Sequence, residues 1–405
     1  MGSSFTHMAV DIVAEVKKSI ARIHERDNDV QAWEHVDAEK ALAQAAHANP
    51  QLPLHGFTFG VKDLMDVEGM PTTWGSPIYA GNIAAKDAAC VALARVAGAV
   101  IMGKTVTTEF AYVAPSRTKN PWNLAHSPGG SSSGSAAAVA DGHVRAAFGS
   151  QTMGSVLRPA AFCGVVGYKP TYATISLDGA HAVAPSFDTL GWMTRSVVDA
   201  ATIRNALLDL PPMALDKPLA RIGFLRSSAW PKAQKAMQDM VEGIAREIGV
   251  PEVDFGFDDY DDVFFPIANF ESRQSLATER LQHLERLREQ TRNLLMAAEF
   301  DFERSKQARK RLLAFDADAA FGKSDVLIMP ACAGEAPDTS TTGDPVFNRL
   351  ASLLGLPAIT IPIKLGPSGL PLGLQLIARR HEDEALLIAA NALADRFPFR
   401  DKLAT

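Results

Sequence analysis

Apolar residues at Ile12, Val13, Val16, Ile20 and Ile23 recur at helical spacing, which predicts an amphipathic helix over residues 9–25. A second helix is predicted over 87–96. Asp87 stands where a cap would, Val91, Leu93, Ala94 and Val96 supply the apolar side, and Gly98 can end it. Short continuous apolar runs at 99–102, 144–148 and 165–168 read as buried strands. Residues 268–315 differ: they are charged and helix-favouring, with Leu281, Leu284, Leu287, Leu294 and Leu295 on a broad stripe. At least two helices packed on a central body are predicted there, because the leucines hold no heptad long enough for a coiled coil. Strands return at 325–329, 358–363 and 373–378, and a helix over 382–396 follows. Strands and helices alternate at both ends, the pattern of an α/β fold around a largely buried sheet. No internal repeat is visible, and the one Ser/Gly-rich stretch runs straight into apolar sequence rather than separating two halves.

Length and composition narrow this picture only a little. The 405 residues, 47% hydrophobic and 21% charged, have ample material for a core, in one large domain or two to three smaller ones. A net charge of −6 argues against nonspecific nucleic-acid binding. Cys90, Cys163 and Cys332 are scattered, which fits a reducing compartment and offers neither a disulfide framework nor a metal cluster. No run of eighteen apolar residues occurs, so no membrane span is expected. No basic segment followed by an apolar one opens the chain, so a cytoplasmic location is expected. Residues 1–8 (MGSSFTHM) read as a remnant of cloning and are set aside.

Three motif matches compete. Residues 98–105, GAVIMGKT, satisfy the spacing of a phosphate-binding loop. Such a loop must aim backbone N–H groups at phosphates, whereas Ala-Val-Ile-Met favours a buried strand, here ending at Gly103, and the following VTTEF is a poor helix start. Residues 130–134, GSSSG, match the nucleophile elbow with Ser132 at its centre. That arrangement needs an acid and a histidine downstream, and His143, His181 and His381 have no evident catalytic setting.

The third match is far longer. Residues 126–168 read HSPGGSSSGSAAAVADGHVRAAFGSQTMGSVLRPAAFCGVVGY. This stretch closely resembles the signature region of the amidase signature family. Gly60-Val61-Lys62-Asp63, the Gly103-Lys104-Thr105 and Glu109-Phe110 pair, and residues 186–191 (SFDTLG) are similar to further blocks of that family. So, more loosely, are 348–363 and 369–377. Residues 210–320 match nothing. HSPGGSSSGSAAAV, Gln151 in place of the usual Asp, the Arg-Pro of VLRPAA, and STTGDPVFNRL most resemble small malonamidase-type members.

The resemblance implies one amidase domain over residues 9–405: a central mixed β-sheet flanked by helices on both faces. Its signature core would span about 54–205, a variable helical region about 210–320, and C-terminal strands and a helix about 324–396. It implies a Ser–cis-Ser–Lys triad, with Ser155 as nucleophile, Ser131 as the bridging serine after a cis Gly130–Ser131 peptide, and Lys62 as base. The Ser/Gly stretch is then no linker. The chemistry is coherent by itself. A serine hydroxyl needs a base, burial can lower a lysine's pKa by several units, and one hydroxyl can donate to the base while accepting from the nucleophile. The turn Thr152, Met153, Gly154 and Ser155 would supply oxyanion N–H groups. Gly130, Ser132 and Gln151 would support the site.

Two family glycines are replaced, by Ser133 and by Met153. A side chain at 153 stands beside the oxyanion: it would be strained if the turn needs positive φ, or it would reshape the substrate pocket. Arg158, three residues past the nucleophile, could hold a substrate carboxylate bidentately or pair an internal acid. Asn348 and Arg349 are weaker candidates for the rim. The sequence therefore predicts an amidase that needs no metal or other cofactor. It would act on a small linear amide, such as a malonamate-like or ureido acid, without nucleic-acid or membrane partners. A homodimer is expected from the resemblance alone. The rival readings are a catalytically impaired binding protein, a nucleotide-dependent enzyme, and a glutamine-hydrolysing amidotransferase-type subunit.

Overall fold

The computed structural model describes residues 10–217, 220–298, 300–400 and 403; the segment 1–8 lies outside them. The apolar runs pair into one eleven-stranded mixed sheet. In chain order its strands are β1 (Trp33–Val36), β2 (Thr58–Lys62), β3 (Val100–Thr105), β4 (Ala146–Gln151), β5 (Val166–Lys169), β6 (Thr189–Thr194), β7 (Ile222–Leu225), β8 (Glu252–Val253), β9 (Val326–Pro330), β10 (Ala358–Leu365) and β11 (Pro371–Ala378). Across the sheet they run β1-β3-β2-β4-β6-β5-β10-β11-β9-β7-β8. β2 is parallel to both β3 and β4, and β7 to β8 and β9; the remaining pairs are antiparallel.

Side chains alternate across a strand, and here the alternation divides the core. Ile101, Phe148 and Trp192 belong to one apolar cluster, whereas Val100, Met102, Ala147 and Met193 belong to another. The second cluster is closed by the first helix, Ile12–Val30, and by Ser133–Ala140. The first is closed by helices that include Ala89–Val96, Val197–Leu207 and Asp383–Arg396. The sheet is thus covered on both faces, as expected.

Several local expectations need correction. Asp87 does not cap the helix Ala89–Val96; Ala88 holds that position without a side-chain bond. Asp87 accepts instead from the Glu68 N–H and from Arg95 Nε, each at 2.8 Å. The leucine stripe is not continuous, since Leu281 is 69% exposed while Leu287 and Leu295 are buried beside Phe110. Residues 100–105 of GAVIMGKT form a fully buried strand that continues past Gly103. Lys104 spends its charge on Asp63 at 2.7 Å, so it is tied into the protein rather than held free for a phosphate.

Candidate active site

Three parallel strands position Lys62. β2 delivers Lys62 at its last residue, between β3 and β4. The Lys62 side chain is fully buried, and Nζ lies 2.7 Å from Ser131 Oγ, 2.9 Å from Ser150 Oγ and 3.3 Å from the Ser150 carbonyl. Among the described residues it forms no ion pair. Burial pulls its pKa down to about 7, and the charge of Asp188 acts in the other direction to a smaller extent.

Ser131 is held in the loop that leads into the helix Ser133–Ala140. Its carbonyl accepts from the Thr108 N–H at 3.1 Å, and the Gly130–Ser131 peptide is cis. Gly129 precedes it with φ of +84°, and a Cβ there would sit 2.9 Å from Pro159 Cα. Only glycine meets both conditions comfortably. Ser131 and Ser155 line the same cavity, of about 250 Å³, together with Thr152, Met153 and Arg158.

The turn before Ser155 is fixed from below. Gln151, fully buried at the end of β4, accepts from the N–H groups of Val156 and Leu157 at 3.0 and 3.1 Å. Those are unsatisfied donors at the start of the helix Leu157–Cys163. Gly154 is packed against Asn348, where an added Cβ would lie 2.5 Å from Oδ1. Met153 does not take positive φ, so the strain considered for a side chain there does not arise. It is half-buried, and it lines the cavity. Thr152 donates from Oγ1 to Asp188 at 2.6 Å, and Asp188 also accepts from the N–H groups of Val183 and Ala184. Burial raises the Asp188 pKa against these hydrogen bonds. Among the described residues, the N–H groups of Met153, Gly154 and Ser155 have no acceptor within the protein.

Arg158 does two things. Its Nη2 donates to the Gly130 carbonyl at 2.7 Å and to Thr342 Oγ1 at 3.4 Å. Its Nε and Nη1 are buried without a partner, although the side chain borders the cavity. Burial draws its pKa down to about 10. The remaining candidates are not brought to the cavity. Ser132 is buried and donates to the Ser150 carbonyl at 3.3 Å, away from the role of an elbow nucleophile. His143 is enclosed between Trp33 and Asp141. Asn348 donates to Ala331 and Gln375, and Arg349 pairs with Asp261.

A sequence profile of the amidase family matches residues 14–249 and 269–387. The chain belongs to the amidase family. Among curated proteins this amidase is 33% identical to a glutamyl-tRNA(Gln) amidotransferase subunit of Desulforapulum autotrophicum, over 93% of this chain and 92% of that one. Among solved structures it is similar to the native peptide amidase of Stenotrophomonas maltophilia, with a TM-score of 0.82 and 27% identity over 98% and 96% of the two chains. It is also similar to a protein of a vestigial complex described as revealing the origins of an s-triazine catabolic enzyme. There the TM-score is 0.89 and the identity 26%, over 96% and 95%.

Sequence reasoning missed three features of this amidase's site. Ser150 gives Lys62 a second hydroxyl, and Asp188 ties Thr152 to the 183–184 loop. The third is the cavity wall of Phe264, Phe265, Ala268, Leu294 and Ala297, which comes from the segment that no motif covered. Ser150 and Asp188 lay inside recognisable blocks, 126–168 and 186–191, but the wall residues did not. No helix of the described residues is long and apolar enough to cross a membrane.

Proposed function

We propose that the chain cleaves the C–N bond of a small linear amide through an acyl-enzyme on Ser155. The observation that carries this reading is Lys62: a buried lysine, free of ion pairs, hydrogen-bonded to Ser131 and drawn down to about 7. A lysine near pKa 7 is neutral often enough to act as a base, which an ordinary lysine is not.

In this mechanism Ser155 Oγ attacks the amide carbonyl. Its proton passes to Ser131, and the Ser131 proton passes to Lys62 Nζ. The N–H groups of the 152–155 turn hold the oxyanion. Lys62 returns the proton through Ser131 to the leaving nitrogen, and ammonia or an amine departs. Water then attacks the ester along the same relay and frees the acid and Ser155. The chemistry calls on no group beyond these side chains and water. Residues 9–405 act as one domain in this reading, since the serines come from 131–155 and the cavity wall from 264–298.

The substrate in this reading carries a carboxylate, as a malonamate-like or ureido acid does. The support is Arg158, with two unpartnered buried N–H positions beside the cavity. Guanidinium N–H groups buried without an acceptor are costly, and a substrate carboxylate beside Arg158 would supply one. A panel of amides with and without a carboxylate tests this: the acids should react faster, and equal rates would remove Arg158 from recognition.

A second reading, a glutamine-hydrolysing amidotransferase-type subunit, rests on the 33% identity to the amidotransferase relative. Glutaminase activity that appears only with a co-purifying partner would favour it. Full turnover of amides by the isolated chain favours the first reading.

A further inference from the structure

The turn that carries Ser155 is gripped by a side chain 199 positions away. Ser352, buried in the helix Val346–Leu353, donates from Oγ to the Met153 carbonyl at 3.1 Å. Ser352 Oγ in turn accepts from Gln151 Nε2 at 3.0 Å. A hydroxyl carries one proton. Because the amide of Gln151 fills the acceptor side, the Ser352 proton is directed at Met153. A carboxylate at 151 would offer no donor and would compete for that proton.

The consequence lies in the peptide that Met153 shares with Gly154. This peptide is trans, and in a trans peptide the C=O and N–H point in opposite directions. Holding the Met153 carbonyl on Ser352 therefore turns the Gly154 N–H away from the helix. The next peptide is set in the same manner, since the Gly154 carbonyl accepts from the Arg158 N–H at 3.0 Å. Both N–H groups, of Gly154 and Ser155, are left without an acceptor among the described residues.

We propose that Ser352 is a positioning residue for catalysis: with Gln151 it forms a neutral relay that aims the Gly154 N–H at the developing oxyanion. The proposal rests on the acyl-enzyme reading above. It accounts for why Gln151 is fully buried with both ends of its amide engaged: Oε1 holds the helix start, and Nε2 holds the serine that holds the turn. It also gives the 346–353 helix a part in the chemistry without any of its side chains needing to touch the substrate.

The test compares two probes that share a ring. Phenylboronic acid becomes tetrahedral on adding to a serine, whereas benzamide stays planar in its bound complex. Affinities for both, with the melting temperature, are measured for wild type, Ser352→Ala, Gln151→Glu and Ser155→Ala. Gln151→Glu keeps the acceptors for Val156 and Leu157 but loses the donor to Ser352. It serves as the second variant if Ser352→Ala folds poorly. Loss of a whole oxyanion donor costs about 10²–10³ in rate, so misaiming one should weaken the boronate by roughly 10-fold. Benzamide affinity should stay close to wild type in both variants, and so should the melting temperature of Ser352→Ala, whereas the buried carboxylate of Gln151→Glu should lower its melting temperature. Equal boronate affinity in both variants, or a matched fall in both probes together with the melting temperature, overturns the proposal. If the boronate binds Ser155→Ala as well as wild type, the acyl-enzyme reading falls first and this proposal falls with it.

Discussion

Arg158 Nη2 donates to the carbonyl oxygen of Gly130 at 2.7 Å, which ties the helix after Ser155 to the loop that carries Ser131. The same guanidinium keeps Nε and Nη1 unpartnered beside the cavity. In the proposed reading it is part scaffold and part recognition element. Arg158→Met should therefore slow every amide, but carboxylate-bearing amides more. A hydrogen bond to a charged group is worth about 1.5–3 kcal/mol, so the ratio of kcat/KM for an acid amide to that for a neutral amide should fall by roughly 10- to 100-fold. The ratio, measured on paired substrates, separates the two roles. An unchanged ratio would leave Arg158 with the scaffold role alone.

Lys62 should cost the fold stability. Its pKa falls from 10.5 to about 7 because burial disfavours the ammonium. Below about pH 7 the folded protein must bury the charge. Above the unfolded value both states are neutral and the penalty is gone. Each pKa unit is about 1.4 kcal/mol, so the penalty is several kcal/mol at acid to neutral pH. It shrinks as pH rises from about 7 towards 10.5. Lys62→Met should abolish hydrolysis yet raise the unfolding free energy at pH 6, with the gain diminishing by pH 10. Denaturant unfolding at both values checks the sign, and a loss of stability at pH 6 would contradict it.

Gly154→Ala should damage the turn through packing rather than through backbone freedom. The added Cβ would lie 2.5 Å from Asn348 Oδ1 and 2.9 Å from Pro345 Cβ. Overpacking of this kind costs roughly 1–3 kcal/mol. Here it would also push the unpaired N–H groups out of line. The expected result is a kcat drop well beyond what the shift in melting temperature accounts for. Adding Asn348→Ala should restore part of it by removing the nearest obstacle.

Met153 lines the cavity with Ser155, Phe264, Phe265 and Leu294. Met153→Gly should widen the site. Rates for amides with bulky acyl groups should rise relative to the smallest ones, by several-fold in kcat/KM. An unchanged size profile would show that Met153 does not bound the substrate.

How much of this was legible beforehand follows from where each signal resides. The buried strands were visible because a strand covered on both faces is largely apolar throughout, as in Ile101–Met102 and Leu327–Met329. Ser131 and Ser155 were visible because they sit in a long ordered motif, and Lys62 because it sits in the further block at 60–63. The cap at Asp87 failed because a salt bridge to Arg95 and a backbone donor at Glu68 competed for its carboxylate. The wall from 264–298 was not legible, because it comes from charged helices whose role depends on what they pack against. Ser352 was also out of reach: its partner Met153 is 199 residues away, and an isolated serine in a helix carries no local mark.

The most direct test of the central claim is the rate at which a small fluorophosphonate labels the folded protein between about pH 5.5 and 9. Intact mass and peptide mapping would be applied to wild type, Ser155→Ala and Lys62→Met. One adduct is predicted, on Ser155, forming at a rate that rises with pH through about 7 as Lys62 loses its proton. Ser155→Ala should show no adduct, and Lys62→Met should lose both the rate and the pH dependence. An adduct on Ser132, or no adduct on well-folded wild type, would contradict the Ser155 acyl-enzyme.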